Sequence, residues 1–86
     1  MKHYALIYTT RKNVMESFGR KFGYSLGHLK TTKIDTPLKI DTSLPGIWSF
    51  LTDEDDGFQI QPITVEAKQN AIVFVTNNNI YVFEEI

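Results

Sequence analysis

The sequence predicts an α+β domain, a small antiparallel sheet of about five strands carrying one N-terminal helix. Three observations lead there. Residues 71–83 hold two runs of β-branched and aromatic residues around three asparagines, the pattern of a β-hairpin. Asn13-Val14-Met15-Glu16 has the form of a helix start, with a strong capping residue and a glutamate three positions later. The chain has 86 residues, of which 42% are hydrophobic and 13% aromatic, enough for one folded domain with a small core. The alternative is an all-β barrel in which residues 16–30 are strands.

In chain order, His3 to Thr9 is rich in β-formers with apolar residues on both faces, which suits a central strand. Val14, Met15, Phe18 and Phe22 then share a helical face. Gly19, Gly23 and Gly27 recur every four residues beside Phe18, Phe22 and Leu26, and each glycine costs a helix interior about 1 kcal/mol. A spacing of four is even, so a strand would align the same residues. The cap favours a short helix over 13–22 with Gly23 in a left-handed conformation after it, and a returning strand over 24–33.

Lys33-Ile34-Asp35-Thr36-Pro37-Leu38 is nearly repeated by Lys39-Ile40-Asp41-Thr42-Ser43-Leu44. Two copies are too few for a solenoid, and the Asp-Thr pairs favour turns, so the segment reads as an irregular connector. A functional arm is the rival reading. Ile47 to Thr52 is a strand, Asp53 to Gly57 a turn, and Phe58 to Ala67 a further strand with Pro62 marking a bulge or edge. The hairpin of 71–83, with asparagines tolerating positive φ in its loop, forms the centre of the fold.

The net charge of −1 hides a division along the chain. Residues 1–40 carry eight cations and two anions, a net of +6, and residues 41–86 carry one cation and eight anions, a net of −7. Such an arrangement points to a charged partner or to head-to-tail contact with a second copy. The basic half also contains Tyr4, Tyr8, Phe18, Phe22 and Tyr24. There is no cysteine, which removes thiol chemistry and disulfides. No apolar run suits a signal sequence or a membrane span, so the expectation is a soluble cytoplasmic protein.

Arg20-Lys21-Phe22-Gly23-Tyr24 partly resembles the first ribonucleoprotein signature of RNA-recognition motifs, in which strand aromatics stack on bases. The likeness covers five residues and departs from the pattern at Lys21, where glycine is expected, and at Ser25, where an aliphatic residue is. It carries no family assignment. The physical idea stands without it: Phe22 and Tyr24 flanked by Arg20, Lys21, Lys30 and Lys33 can form a stacking platform with phosphate contacts, extended by Arg11 and Lys12. The plainer reading makes Phe22 a core residue and the cations a solvated face.

Asp53, Glu54, Asp55 and Asp56 fail as a calcium loop. Placing Gly57 at the sixth position puts Thr52 first and Ile63 twelfth, where carboxylates are needed. They read as a solvated turn or as a contact for a basic protein surface. His3 and His28 have no spacing that suggests a metal or an acid–base pair. Tyr4, Tyr8, Arg11, Arg20 and Lys21 could serve a metal-independent ribonuclease, ranked third because half the chain is acidic. The expected function is thus a non-enzymatic regulatory or inhibitory binding protein without cofactor. Its basic half would hold RNA or single-stranded nucleic acid, and its acidic half a protein or a second copy. By analogy of class alone, phage-encoded counter-defence and antitoxin-like proteins have this size. A purely protein-binding inhibitor is the second reading.

Overall fold

A computed structural model describes residues 2–25 and 30–86, the side chains of residues 24, 25 and 30 excepted. Among these residues the chain is mostly β, 54% strand against 9% helix. The strands are β1 (Tyr4–Thr9), β2 (Lys21–Ser25), β3 (Lys30–Ile34), β4 (Lys39–Asp41), β5 (Trp48–Leu51), β6 (Gly57–Ile60), β7 (Thr64–Lys68), β8 (Ala71–Val75) and β9 (Ile80–Glu85), with α1 (Lys12–Phe18) after β1. They form three sheets: β1-β9-β8-β7, the ribbon β2-β3, and β4-β5-β6. The expected α+β architecture with a single five-strand sheet therefore does not hold. The barrel alternative fails too, because no sheet closes on itself.

An aromatic cluster joins the four-stranded and three-stranded sheets. Phe50 of β5 lies parallel to Phe83 of β9, with centroids 4.2 Å apart and planes 10° apart. Phe74 meets both edge-on, at 5.4 and 5.6 Å, and Phe58 stacks on Phe50 at 5.2 Å. Phe50, Phe74, Phe83, Leu6 and Leu38 are fully buried. Aromatic pairs in these geometries contribute about 0.5–1.5 kcal/mol each beyond the area they bury. The hairpin β8-β9 supplies the inner strands of its sheet, as expected. Its loop, however, uses no positive φ at asparagine. Instead the Thr76 hydroxyl accepts the N–H groups of Asn78 and Asn79, at 3.3 and 3.0 Å.

The helix is shorter than expected. It begins after Arg11, whose side chain makes no capping bond, and the Arg11 N–H is taken by the Thr9 hydroxyl at 3.1 Å. It ends at Gly19, which has extended geometry, and Gly23, expected to be left-handed after the helix, lies within β2 without a positive φ. A Cβ on Gly19 would fall 2.5 Å from the Met15 carbonyl oxygen, so glycine there permits a tight exit. Arg20 N–H then bonds the Leu6 carbonyl at 2.7 Å, and residues 21–25 become a strand. The first two units of the repeat thus divide between helix and strand, and Leu26-Gly27 lies outside the described residues.

Two other features depart from the simple alternation of the sequence. A bulge between Leu6 and Tyr8 shifts the β1 register on β9, so Leu6 is buried while Tyr8 is 52% exposed. Pro62 separates β6 from β7, which belong to different sheets, so the single strand expected over 58–67 does not form. The hexapeptide repeat is only partly an irregular connector. It contains the end of β3 and the whole of β4, and Leu38 exchanges both backbone hydrogen bonds with Tyr4, at 2.8 and 2.9 Å.

Candidate nucleic-acid interface

The ribbon β2-β3 is flanked by two segments that bond the outer edge of β1. Its incoming strand follows the Arg20–Leu6 bond and its outgoing strand precedes the Leu38–Tyr4 pair. The root is an ion pair. Arg20 Nε donates to Asp35 Oδ1 at 2.6 Å, and Nη2 donates to Asp35 Oδ2 at 3.2 Å and to Glu84 Oε1 at 3.3 Å. The Arg20 side chain is only 9% exposed. Its pKa is raised further above the usual arginine value, first by the Asp35 hydrogen bond, against an opposing effect of burial. Arg20, expected among the nucleic-acid contacts, therefore commits its guanidinium to two carboxylates.

Beyond the root, Lys21 pairs in register with Ile34 and Phe22 with Lys33. Directly paired residues project on one face, so Phe22 and Lys33 stand together. Phe22 is 65% exposed, and Lys21 and Lys33 are exposed too. Phe22 is therefore not the core residue of the plainer reading. Gly23 explains the second glycine of the repeat: a Cβ there would lie 3.1 Å from Ile34 Cδ1, so the Ile34 side chain covers the position. Tyr24 pairs with Thr31 and Ser25 with Lys30, but the side chains of Tyr24 and Lys30, and all of His28, lie outside the described residues.

Arg11 and Lys12 do not join this group. They sit at the far end of α1, whose seven residues span about 10 Å, and the continuous helix that would have linked them to Arg20 and Lys21 is absent. Arg11 instead borders a polar cleft with Gln59, Gln61 and Asn77–Asn79. The sequence reading missed this cleft because its amides come from β6, the link after it and the β8-β9 loop, which are remote along the chain. The five ribonuclease candidates are also dispersed. Tyr4 packs against the core while Tyr8, beyond the bulge, faces solvent.

Asp53–Asp56 form an exposed turn organised by Thr52, whose hydroxyl accepts the N–H of Glu54 and of Asp56 at 3.3 and 3.2 Å. Asp55 has a φ of 62°, the left-handed region that aspartate tolerates. The turn shares a groove with Phe18, Thr36 and Pro37, close to the root of the ribbon. The halves of the sequence are interleaved rather than set end to end, as the pairs Lys2–Glu85, His3–Asp53 and Arg20–Glu84 show. Among the described residues no three His, Asp or Glu side chains group to hold a metal, and no helix is long and apolar enough to cross a membrane.

No protein-family model, curated protein or solved structure matches this chain.

Proposed function

We propose that the protein is a non-enzymatic, regulatory or inhibitory binding protein whose ribbon engages RNA or other single-stranded nucleic acid. The observation that carries this reading is Phe22: a large aromatic ring, mostly exposed, held opposite Lys33 on one face of the ribbon, with Lys21 exposed on the other. Folding gains little from an exposed ring, whereas an unstacked base gains a platform with the Lys33 cation beside it for phosphate. Arg20 and Asp35 hold the root of that platform. A strand would lie along the ribbon and away from Asp53–Asp56, whose carboxylates repel phosphate. The acidic turn then serves a protein contact. All four of its acidic side chains are exposed, and among the described residues only Asp53 has a side-chain partner of basic type, His3.

The test is a migration assay with short labelled single-stranded RNA at low and moderate salt, following RNA integrity in the same lanes. The expected result is a shift that weakens with salt, leaves the RNA intact and disappears in Lys21→Glu/Lys33→Glu. No shift at low salt would overturn the reading and leave the acidic turn as the surface to pursue with protein partners. Cleavage lost on changing one Tyr or Arg would replace binding with catalysis.

A further inference from the structure

The polar cleft beside Arg11 has a volume of about 530 Å³, within the range of small-ligand sites. Its lining differs in charge from the rest of the protein. The chain carries ten carboxylates, yet none borders this cleft, and among the described residues Arg11 is the one charged group that does. Arg11 makes no ion pair among the described residues.

The amides are partly fixed and partly bare. Gln59 Nε2 donates to the buried Ser49 hydroxyl at 3.2 Å, which leaves its Oε1 as an acceptor. Asn79 Oδ1 accepts from Thr10 Oγ1 at 2.9 Å, and Thr10 Oγ1 in turn accepts the Ile80 N–H at 3.1 Å, so Asn79 Nδ2 remains as a donor. Behind them Ile47, Ile60 and Tyr81 provide an apolar floor. One cation, bare amide donors and acceptors, and an apolar floor suit a ligand with one anionic group and a flat body edged with hydrogen-bonding atoms. Amide side chains pair in this way with base edges, and guanidinium with phosphate.

We propose that this cleft binds one phosphorylated nucleotide unit, with Arg11 on the phosphate and the amides of Gln59, Gln61 and Asn77–Asn79 on the base edge. The site is separate from the ribbon and does not depend on it. The same chemistry is offered by a free mononucleotide and by the phosphorylated end of a strand.

The test is an NMR titration of the full chain, reading side-chain amide signals. The probes are the four nucleoside monophosphates, the matching unphosphorylated nucleosides, inorganic phosphate, and short strands with and without a 5′-phosphate. A mononucleotide cannot span the cleft and the ribbon, so its effect on the amides that line the cleft reports that site without help from the ribbon. The expected result is saturable movement of the Gln61, Asn77 and Asn78 amides with at least one mononucleotide. Binding should weaken about tenfold or more in Arg11→Ala, in Arg11→Lys, which loses the planar fork, and with the unphosphorylated nucleoside. Tighter binding of the 5′-phosphorylated strand would assign the site to strand ends, and equal or weaker binding to free nucleotides. No saturable movement with any mononucleotide, or an Arg11→Ala chain with a native spectrum and unchanged binding, would overturn the proposal. Equal binding of inorganic phosphate alone would overturn the base contacts.

Discussion

Arg20 and Asp35 close the root of the β2-β3 ribbon with two parallel hydrogen bonds, 2.6 and 3.2 Å long. They occupy the next register position after the Lys21–Ile34 pair, so the ladder of the ribbon ends in an ion pair instead of a backbone bridge. Nη2 also reaches Glu84 of β9, which ties the ribbon to the four-stranded sheet.

The Asp35 side chain is 18% exposed and that of Arg20 9%, so removing one partner leaves a largely desolvated charge. Asp35→Ala is expected to lower stability by about 2–3 kcal/mol, measured by urea unfolding. The Glu84 side chain is 36% exposed, and Glu84→Gln should cost less than about 1 kcal/mol. Equal effects of the two substitutions would contradict the proposed hierarchy.

Phe22 should separate stability from binding. Phe22→Ala removes an exposed ring, so its effect on unfolding should stay within about 0.5 kcal/mol. If the ring stacks on a base, RNA affinity should fall by about 1–3 kcal/mol. A large loss of stability with no loss of affinity would return Phe22 to a structural role.

Gly57 tolerates no side chain. A Cβ there would clash with the Phe50 carbonyl oxygen, which the β5-β6 pairing brings into close approach. Gly57→Ala must move the backbone beside the fully buried Phe50, and a loss of about 3 kcal/mol is expected. Gly46→Ala, where no atom lies within 4 Å but φ is +74°, should lose less, about 1 kcal/mol.

Asp41 accepts the Ser43 N–H at 2.9 Å, and that bond is the main cause of a pKa below the usual aspartate value of 3.8. A depressed folded pKa adds stability above the unfolded value and loses it as pH falls through the folded one. NMR titration of the Asp41 carboxyl should give a midpoint below 3.8. A midpoint at or above that value would show that the Asp41–Ser43 turn is open in solution.

Much of the sheet could be read from local chemistry. The β8-β9 hairpin, the acidic turn and β5 follow from alternating β-formers bounded by turn residues, and the Asp41-Thr42-Ser43 turn follows from the aspartate side chain. Residues 18–25 could not be read in this way. A four-residue spacing aligns Phe18 and Phe22 on a helix and on a strand alike, and the choice rests on contacts remote in sequence: the Arg20 N–H on Leu6, and the Arg20 side chain on Asp35 and Glu84. Pro62 likewise marks an interruption without revealing that the flanking strands enter different sheets.

By itself, the sequence determined that this chain holds the β8-β9 hairpin, has no cysteine and divides its charge along its length. Each of these is a property of composition or of near neighbours. Only the tertiary structure decided which cations are exposed. Lys21 and Lys33 project from a ribbon, while Arg20 is neutralised by carboxylates 15 and 64 residues away. It also gathered Arg11, Gln59, Gln61 and Asn77–Asn79 into one cleft, because β-sheet pairing joins segments by register and not by distance along the chain.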